Sequence, residues 1–229
     1  MKKIIFLLIL VFCCLFFSGC ARKTDTDKFI NEYESLNGKT NEKGKEYREI
    51  DLDDDVNIVY KSDDDIVKAI ENDETFIVYF GFSACPWCRS ILPTFLEVAD
   101  EYELEQIYYV DIQNIRDTLK VNEKGEIETV NEGTQGYYKL LELFDSVLND
   151  YKLVDKDNKE IDAKEKRIYA PNMICVVDGE VKMLASGISE YQDDPYGKLN
   201  KKIIDDIENQ FEKLFDSLNA SNMCTKEGC

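Results

Sequence analysis

Histidine is absent from the 229-residue chain. That removes Ser-His-Asp and Cys-His catalysis and every imidazole-ligated metal site. Basic charge is scarce as well: 28 Lys and Arg stand against 47 Asp and Glu, a formal net charge of −19. Nucleic acid is held by basic patches and anionic lipid attracts polybasic segments, so neither is an expected partner of this surface. There is no internal repeat. The apolar run from Ile4 to Phe17 falls short of the roughly 20 residues a spanning helix needs. What is present, 44% hydrophobic and 11% aromatic residues beside 33% charged ones, suffices for one moderate-sized core and excludes a membrane-embedded protein.

Lys2 and Lys3 precede the apolar run, and Ser18-Gly19-Cys20 follows it. A short apolar run behind a basic start fits a removable secretory signal, with an uncleaved anchor as the alternative. Ser-Gly-Cys resembles the lipobox of bacterial lipoproteins, with Phe17 where that family usually has Leu. The resemblance implies a signal peptide over 1–19 and a lipidated Cys20 as the mature N-terminus. Stable anchoring then needs more than one acyl chain. Each of these readings places the folded part outside the cytoplasm, where disulfides persist.

Residues 20–50 are polar and read as a linker that can carry a short helix around Phe29 to Leu36. A folded domain is expected over 51–219. Val56 to Tyr60 reads as a strand. Ser62 and Asp65 form a capping-box-like helix start before Ile66, Val67 and Ile70. Thr75 to Phe82 is a continuous apolar run of the kind found in central strands. Cys85 to Tyr102 has helical spacing, interrupted by Pro93, and Gln106 to Ile112 is the next strand. Residues 116–134 and 152–166 read as charged loops around a helical stripe at 135–150. Together they form an insertion at about 113–167. Asn172 to Val177 and Val181 to Ala185 flank Asp178-Gly179, a hairpin signal. A final amphipathic helix runs from Ile203 to Leu218. The tail 220–229 carries Cys224 and Cys229. Strands alternating with helices imply an α/β fold, a mixed central sheet flanked by helices, with a helical insertion.

The chemistry-bearing motif is Cys85-Pro86-Trp87-Cys88, at the junction of a buried strand and a helix. A sulfur at a helix N-terminus faces unpaired N–H groups and the positive end of the dipole, which favour the nucleophilic thiolate. Cys85 is expected to attack a disulfide and Cys88 to resolve the mixed disulfide. Pro86 costs no hydrogen bond at the first helical position. A structural bridge and half of a zinc site are the plainer readings. Zinc would need two more ligands from Cys175, Cys224, Cys229 or carboxylates, and no metal is expected. No cofactor is required, because the electrons reside on the Cys85–Cys88 pair.

Tyr79 to Pro93 (YFGFSACPWCRSILP) resembles the active-site segment of the thioredoxin superfamily, including a proline five residues after the second cysteine. Ile168 to Gly187 is similar to that family's cis-proline segment through Pro171, Asp178-Gly179 and Gly187. The resemblance spans roughly Val56 to Leu218. It implies a thioredoxin-like fold and an extracytoplasmic, membrane-anchored thiol–disulfide oxidoreductase acting on protein thiols and disulfides, recycled by a redox partner. It also implies a cis Pro171 beside the cysteines, with Ala170 offering backbone groups to a bound chain. Thioredoxin-like lipoproteins and bacteriocin-accessory proteins are the nearest groups. A non-catalytic binding or bacteriocin-export accessory module is therefore the rival reading, and a structural lipoprotein a second. Tyr79 stands where many thioredoxins hold a buried acid, and Pro86-Trp87 leans toward oxidase or isomerase poise.

Other residues carry paired readings. Trp87 either contacts substrate or covers the sulfurs. Arg89 either steadies the thiolate or is solvated. Cys175 is a buried inert thiol or a regulatory one. Cys224 and Cys229 form a local disulfide or a second redox pair. The stripe at 137–148 is core or part of a substrate groove. The acidic runs at 51–55 and 63–65 are surface charge without EF-hand spacing.

Overall fold

The computed structural model describes residues 24–227, with side chains through residue 218. The signal segment, Cys20 and Cys229 lie outside the described residues. A five-stranded mixed sheet runs β1 (Ile58–Tyr60), β3 (Ile107–Asp111), β2 (Phe76–Gly81), β8 (Asn172–Val177), β9 (Glu180–Ala185). β1, β3 and β2 are mutually parallel; β8 is antiparallel to β2, and β9 to β8. The β8–β9 turn is Asp178-Gly179, both at positive φ (50° and 70°). That geometry selects Asp-Gly in two-residue hairpins.

The central strands alternate cleanly between two cores. Ile77, Tyr79, Tyr109, Met173 and Cys175 face one side; Phe76, Val78, Phe80, Val110, Ile174 and Val176 face the other. The first face is covered by α1 (Asp25–Glu34), α3 (Pro86–Glu101) and α5 (Lys201–Glu227), the second by α2 (Asp63–Glu71) and α4 (Gln135–Leu143). Because β2 and β8 are buried on both faces, they read as near-continuous apolar runs, with Asn172 the one buried polar side chain, at the start of β8. Capping sets the helix starts. Ser62 and Asp65 form a reciprocal capping box for α2, and Thr24 with Asp27 does the same for α1.

Four expectations are corrected. Residues 25–50 are not a free linker. α1 inserts Phe29 and Tyr33, both 0% exposed, into the main core, and Ile50 is buried behind them. Two aromatic side chains spaced one turn apart, helped by Thr26 and Ile30, dock a helix whose remaining positions are polar or charged; burial of the two rings is worth about 3–6 kcal/mol in total. The segments 116–134 and 152–166 are hairpins, β4–β5 (Thr118–Val121, Ile127–Asn131) and β6–β7 (Asn149–Val154, Glu160–Arg167). All five residues of β5 are exposed, so burial imposed no apolar alternation that could announce a strand. α4 ends at Leu143, and Phe144 and Leu148 reach the core from the turn after it. Finally, α5 continues to Glu227, so Cys224 sits on a helix rather than in an irregular tail.

Candidate active site

β2 delivers the chain into the turn Phe82–Ala84, closed by a hydrogen bond from the Cys85 N–H to the Phe82 carbonyl (3.1 Å). Cys85 is the N-cap of α3, in extended backbone, and its sulfur accepts the Cys88 N–H at 3.3 Å. A sulfur in the N-cap position takes the place that a Ser or Asp oxygen usually fills, so α3 stabilises negative charge on it. Pro86 is the first helical residue. Pro86 and Trp87 are half-buried, and Trp87 packs against the core around the sulfurs while keeping an exposed face. Both alternatives weighed for Trp87 are thus compatible with its position.

The cis-proline segment arrives from the far side. The Ala170–Pro171 bond is cis, Pro171 is buried, and the Cys85 sulfur lies 3.3 Å from the Ala170 carbonyl oxygen. Cys85, Cys88 and Cys175 are free thiols. Their environments differ in kind. Cys85, 5% exposed, is held below the ordinary cysteine value. The hydrogen bond from the Cys88 thiol does most of this, the Cys88 and Trp87 N–H groups add to it, and burial opposes it. Cys88, 0% exposed, is pushed well up by burial. The pair thus shares its protons unequally. Cys175 is pushed to about 11 by burial, on β8 in the same core layer under α3 and α5.

Arg89 fits neither reading made of it. Its side chain is fully buried and its donors are met by the carbonyls of Tyr33 (2.7 Å), Arg48 (2.9 and 2.5 Å) and Ser83 (3.4 Å) and by the Asn37 Oδ1 (2.7 Å). It bolts α1 and the loop after it onto α3. A guanidinium fork can satisfy several carbonyls at once, which is why an arginine can be buried here.

Further residues complete the site, and of these the sequence had singled out only Tyr79, at the place of a buried acid. The Tyr79 ring lies along β2 over Gly81, where a Cβ would overlap the ring and its hydroxyl. The Tyr79 hydroxyl is 2.8 Å from that of Tyr33. From the insertion, Arg116 stacks over the Phe82 ring at 5.5 Å and its charge favours the Cys85 thiolate. Among the described residues Arg116 makes no close ion pair; the Asp111 carboxylate feels its charge at longer range. Asp117, next to Arg116, is committed to a buried ion pair with Arg167 (2.5 Å), which itself stacks on Tyr151. Tyr169, next to Ala170, donates its hydroxyl to the Asp150 carbonyl at 3.1 Å. The two hairpins therefore brace both the cation and the cis-proline segment. The Cys224 side chain and Cys229, expected as a local disulfide or second redox pair, lie outside the described residues. The 137–148 stripe is core: Tyr137, Leu140, Phe144 and Leu148 are buried. No helix among the described residues is long and apolar enough to cross a membrane. Neither a protein-family model nor a curated protein matches the chain.

Proposed function

We propose that this chain is a thiol–disulfide oxidoreductase of thioredoxin-like fold, acting on protein disulfides through Cys85 and Cys88. We place it outside the cytoplasm, on a membrane through a lipidated Cys20. The observation that carries the reading is the opposed setting of the two sulfurs. One caps a helix beside Ala170-Pro171 with its proton easily lost; the other is sealed behind it with its proton tightly held. The parallel β1-β3-β2 arrangement with an antiparallel hairpin after it supports the fold assignment.

The chemistry follows from that asymmetry. The Cys85 thiolate attacks a substrate disulfide; the substrate S–S bond breaks and one substrate sulfur leaves with the electron pair. Cys88 then attacks the Cys85 sulfur, the second substrate sulfur leaves, and a Cys85–Cys88 disulfide remains. The pair loses two electrons and the substrate gains them; the reverse sequence forms a disulfide in the substrate. Ala170 and Pro171 line the approach to Cys85, with Pro86 and Trp87 on its other side. A redox protein must return the pair to its starting state.

A thiolate stabilised in the reduced protein makes the disulfide form a stronger oxidant. Together with Pro86-Trp87, this favours disulfide formation or isomerisation over reduction. Equilibration against glutathione reads the reduction potential, and scrambled-ribonuclease and insulin assays read turnover. A potential near the roughly −270 mV of reducing thioredoxins would reverse the assigned direction. If neither assay showed turnover and a Cys85→Ser protein kept its biological role, a non-catalytic binding module would replace this reading. Loss of membrane association in Cys20→Ser tests the anchor.

A further inference from the structure

Resolution of the mixed disulfide asks Cys88 to carry negative charge where no solvent reaches it: its side chain is 0% exposed. A buried anion is costly unless hydrogen bonds compensate it. Among the described residues the buried carboxylates are Asp63 and Asp117. Both are engaged elsewhere, Asp63 with the Thr134 hydroxyl and Asp117 with Arg167. The titratable groups facing Cys88 are Cys85 across the first turn of α3, Tyr79 from β2, Tyr33 from α1 and Tyr109 from β3. The Arg89 guanidinium meets Tyr33 at its backbone carbonyl, and its other donors go to the Arg48 and Ser83 carbonyls and the Asn37 Oδ1.

Of these, Tyr79 shares one buried cluster with Cys88 and, unlike Tyr33 and Tyr109, acts on the sulfur through a side-chain hydrogen bond as well as through charge. Its ring runs along the strand in space that only a glycine at 81 leaves open, and its hydroxyl is within side-chain hydrogen-bond reach of Cys88. Behind it the Tyr33 hydroxyl, also fully buried, stands 2.8 Å away. We infer that Tyr79, backed by Tyr33, is the hydrogen-bond donor that steadies the Cys88 sulfur while it is charged in the second exchange step. The inference rests on the exchange chemistry proposed above.

The direction of donation follows from chemistry. Burial keeps both phenols protonated far above neutral pH, so Tyr79 acts as a donor and not as a base. Tyr33 donates to the Tyr79 oxygen, which polarises the Tyr79 O–H toward the sulfur. In the step itself the Cys88–Cys85 bond forms and the bond from Cys85 to the substrate sulfur breaks. The substrate sulfur leaves with the electron pair, and the proton lost by Cys88 ends on it. The tyrosines are unchanged at the end. Tyr79 touches a reacting atom; Tyr33 is a positioning residue acting through it.

Rapid mixing with an aromatic disulfide that releases a coloured thiolate tests this, in the full chain with Cys224 and Cys229 changed to serine. The first release reports attack by Cys85, the second attack by Cys88. Tyr79→Phe is expected to leave the first phase unchanged. It should slow the second at neutral pH by about ten- to a hundredfold, the loss of one hydrogen bond to a charged group, and move its pH midpoint upward. Tyr33→Phe should act in the same direction but less, and the double variant should be no slower than Tyr79→Phe alone. A second phase in Tyr79→Phe that overlays the unmodified protein across the pH range overturns the inference. So do fully additive effects of the two variants. Should Tyr79→Phe fail to fold, the pH profile of Tyr33→Phe decides by itself: a midpoint unmoved from that of the unmodified protein rejects the relay. Absence of the first phase in the unmodified chain sinks the exchange chemistry itself, a different failure that needs no tyrosine variant to detect.

Discussion

The Cys85 sulfur and the Ala170 carbonyl oxygen, 85 positions apart in sequence, lie 3.3 Å from each other. That carbonyl can hold the sulfur only while it carries its proton. Once ionised, the sulfur is repelled by the carbonyl and held instead by the Cys88 N–H at the start of α3. The two partners therefore favour different protonation states of the same atom, and a bound chain that occupies the Ala170 carbonyl removes the one that favours the thiol.

This arrangement sets the order in which the thiols react. Iodoacetamide should modify Cys85 first. The rate should rise with pH and level off below the ordinary cysteine value of about 8.5. Cys88 and Cys175, both fully buried with raised values, should stay unmodified in the native protein. Peptide mapping by mass spectrometry after timed quenching reads all three. Equal labelling of Cys85 and Cys175 would contradict the site as described.

Arg116 should act on Cys85 through charge alone. It lies over Phe82, whose carbonyl accepts the Cys85 N–H, and among the described residues it makes no close ion pair, Asp111 feeling its charge only at longer range. In Arg116→Gln, alkylation of Cys85 at neutral pH should slow by about two- to fivefold, as expected for a partly exposed charge. The difference should shrink in high salt. A slower rate that is indifferent to ionic strength would point to altered packing instead.

Arg89→Lys should destabilise the protein by about 2–4 kcal/mol, since one ammonium cannot reach the carbonyls of Tyr33, Arg48 and Ser83 and the Asn37 Oδ1 together. The loss should concentrate in the segment that Arg89 holds. Limited trypsin digestion should then cut first at Lys39, Lys43 or Lys45. Urea unfolding gives the magnitude, and an unchanged first cleavage site would reject the bolt.

High pH should unfold the protein through its buried acids. Burial raises Tyr33, Tyr79, Tyr109 and Tyr137 above the ordinary tyrosine value of about 10 and Cys175 to about 11. The folded state keeps protons that the unfolded chain gives up. The stability they contribute is therefore complete below the unfolded values and is lost as pH rises through the folded ones. Stability should fall from about pH 9 upward, first through the cysteines and more steeply above 10. Cys175→Ala should flatten the first part of that decline. Urea midpoints at stepped pH check the slope, and a curve flat to pH 11 would refute it.

Much of the sheet was legible because it is buried on both faces. Thr75 to Phe82 and Asn172 to Val177 could hardly be anything but central strands, and Asp178-Gly179 fixed the hairpin between β8 and β9. Ser62 with Asp65 announced α2. The hairpins β4–β5 and β6–β7 were not legible. Their strands are mostly exposed, so burial left no period of two, although Asn122 to Gly125 and Asp155 to Asn158 are turn sequences in hindsight. The short helix expected around Phe29 to Leu36 is present as α1, over Asp25–Glu34, but its docking was hidden for the opposite reason: two aromatics, Phe29 and Tyr33, carry it inside a segment that averages as polar.

By itself the sequence determined which residues the proposed exchange would use. A C-x-x-C between an apolar strand and a helix, and a proline ahead of the last hairpin, are local patterns, and local backbone preference and burial are enough to place them. Only the tertiary structure decided what surrounds the sulfurs. The Ala170 carbonyl, the Tyr79–Tyr33 hydroxyl pair, the unpaired Arg116 and the buried Arg89 come from four separate stretches of chain. Hydrogen bonds and charge act over a few ångströms of space, and distance along the chain does not reveal that proximity.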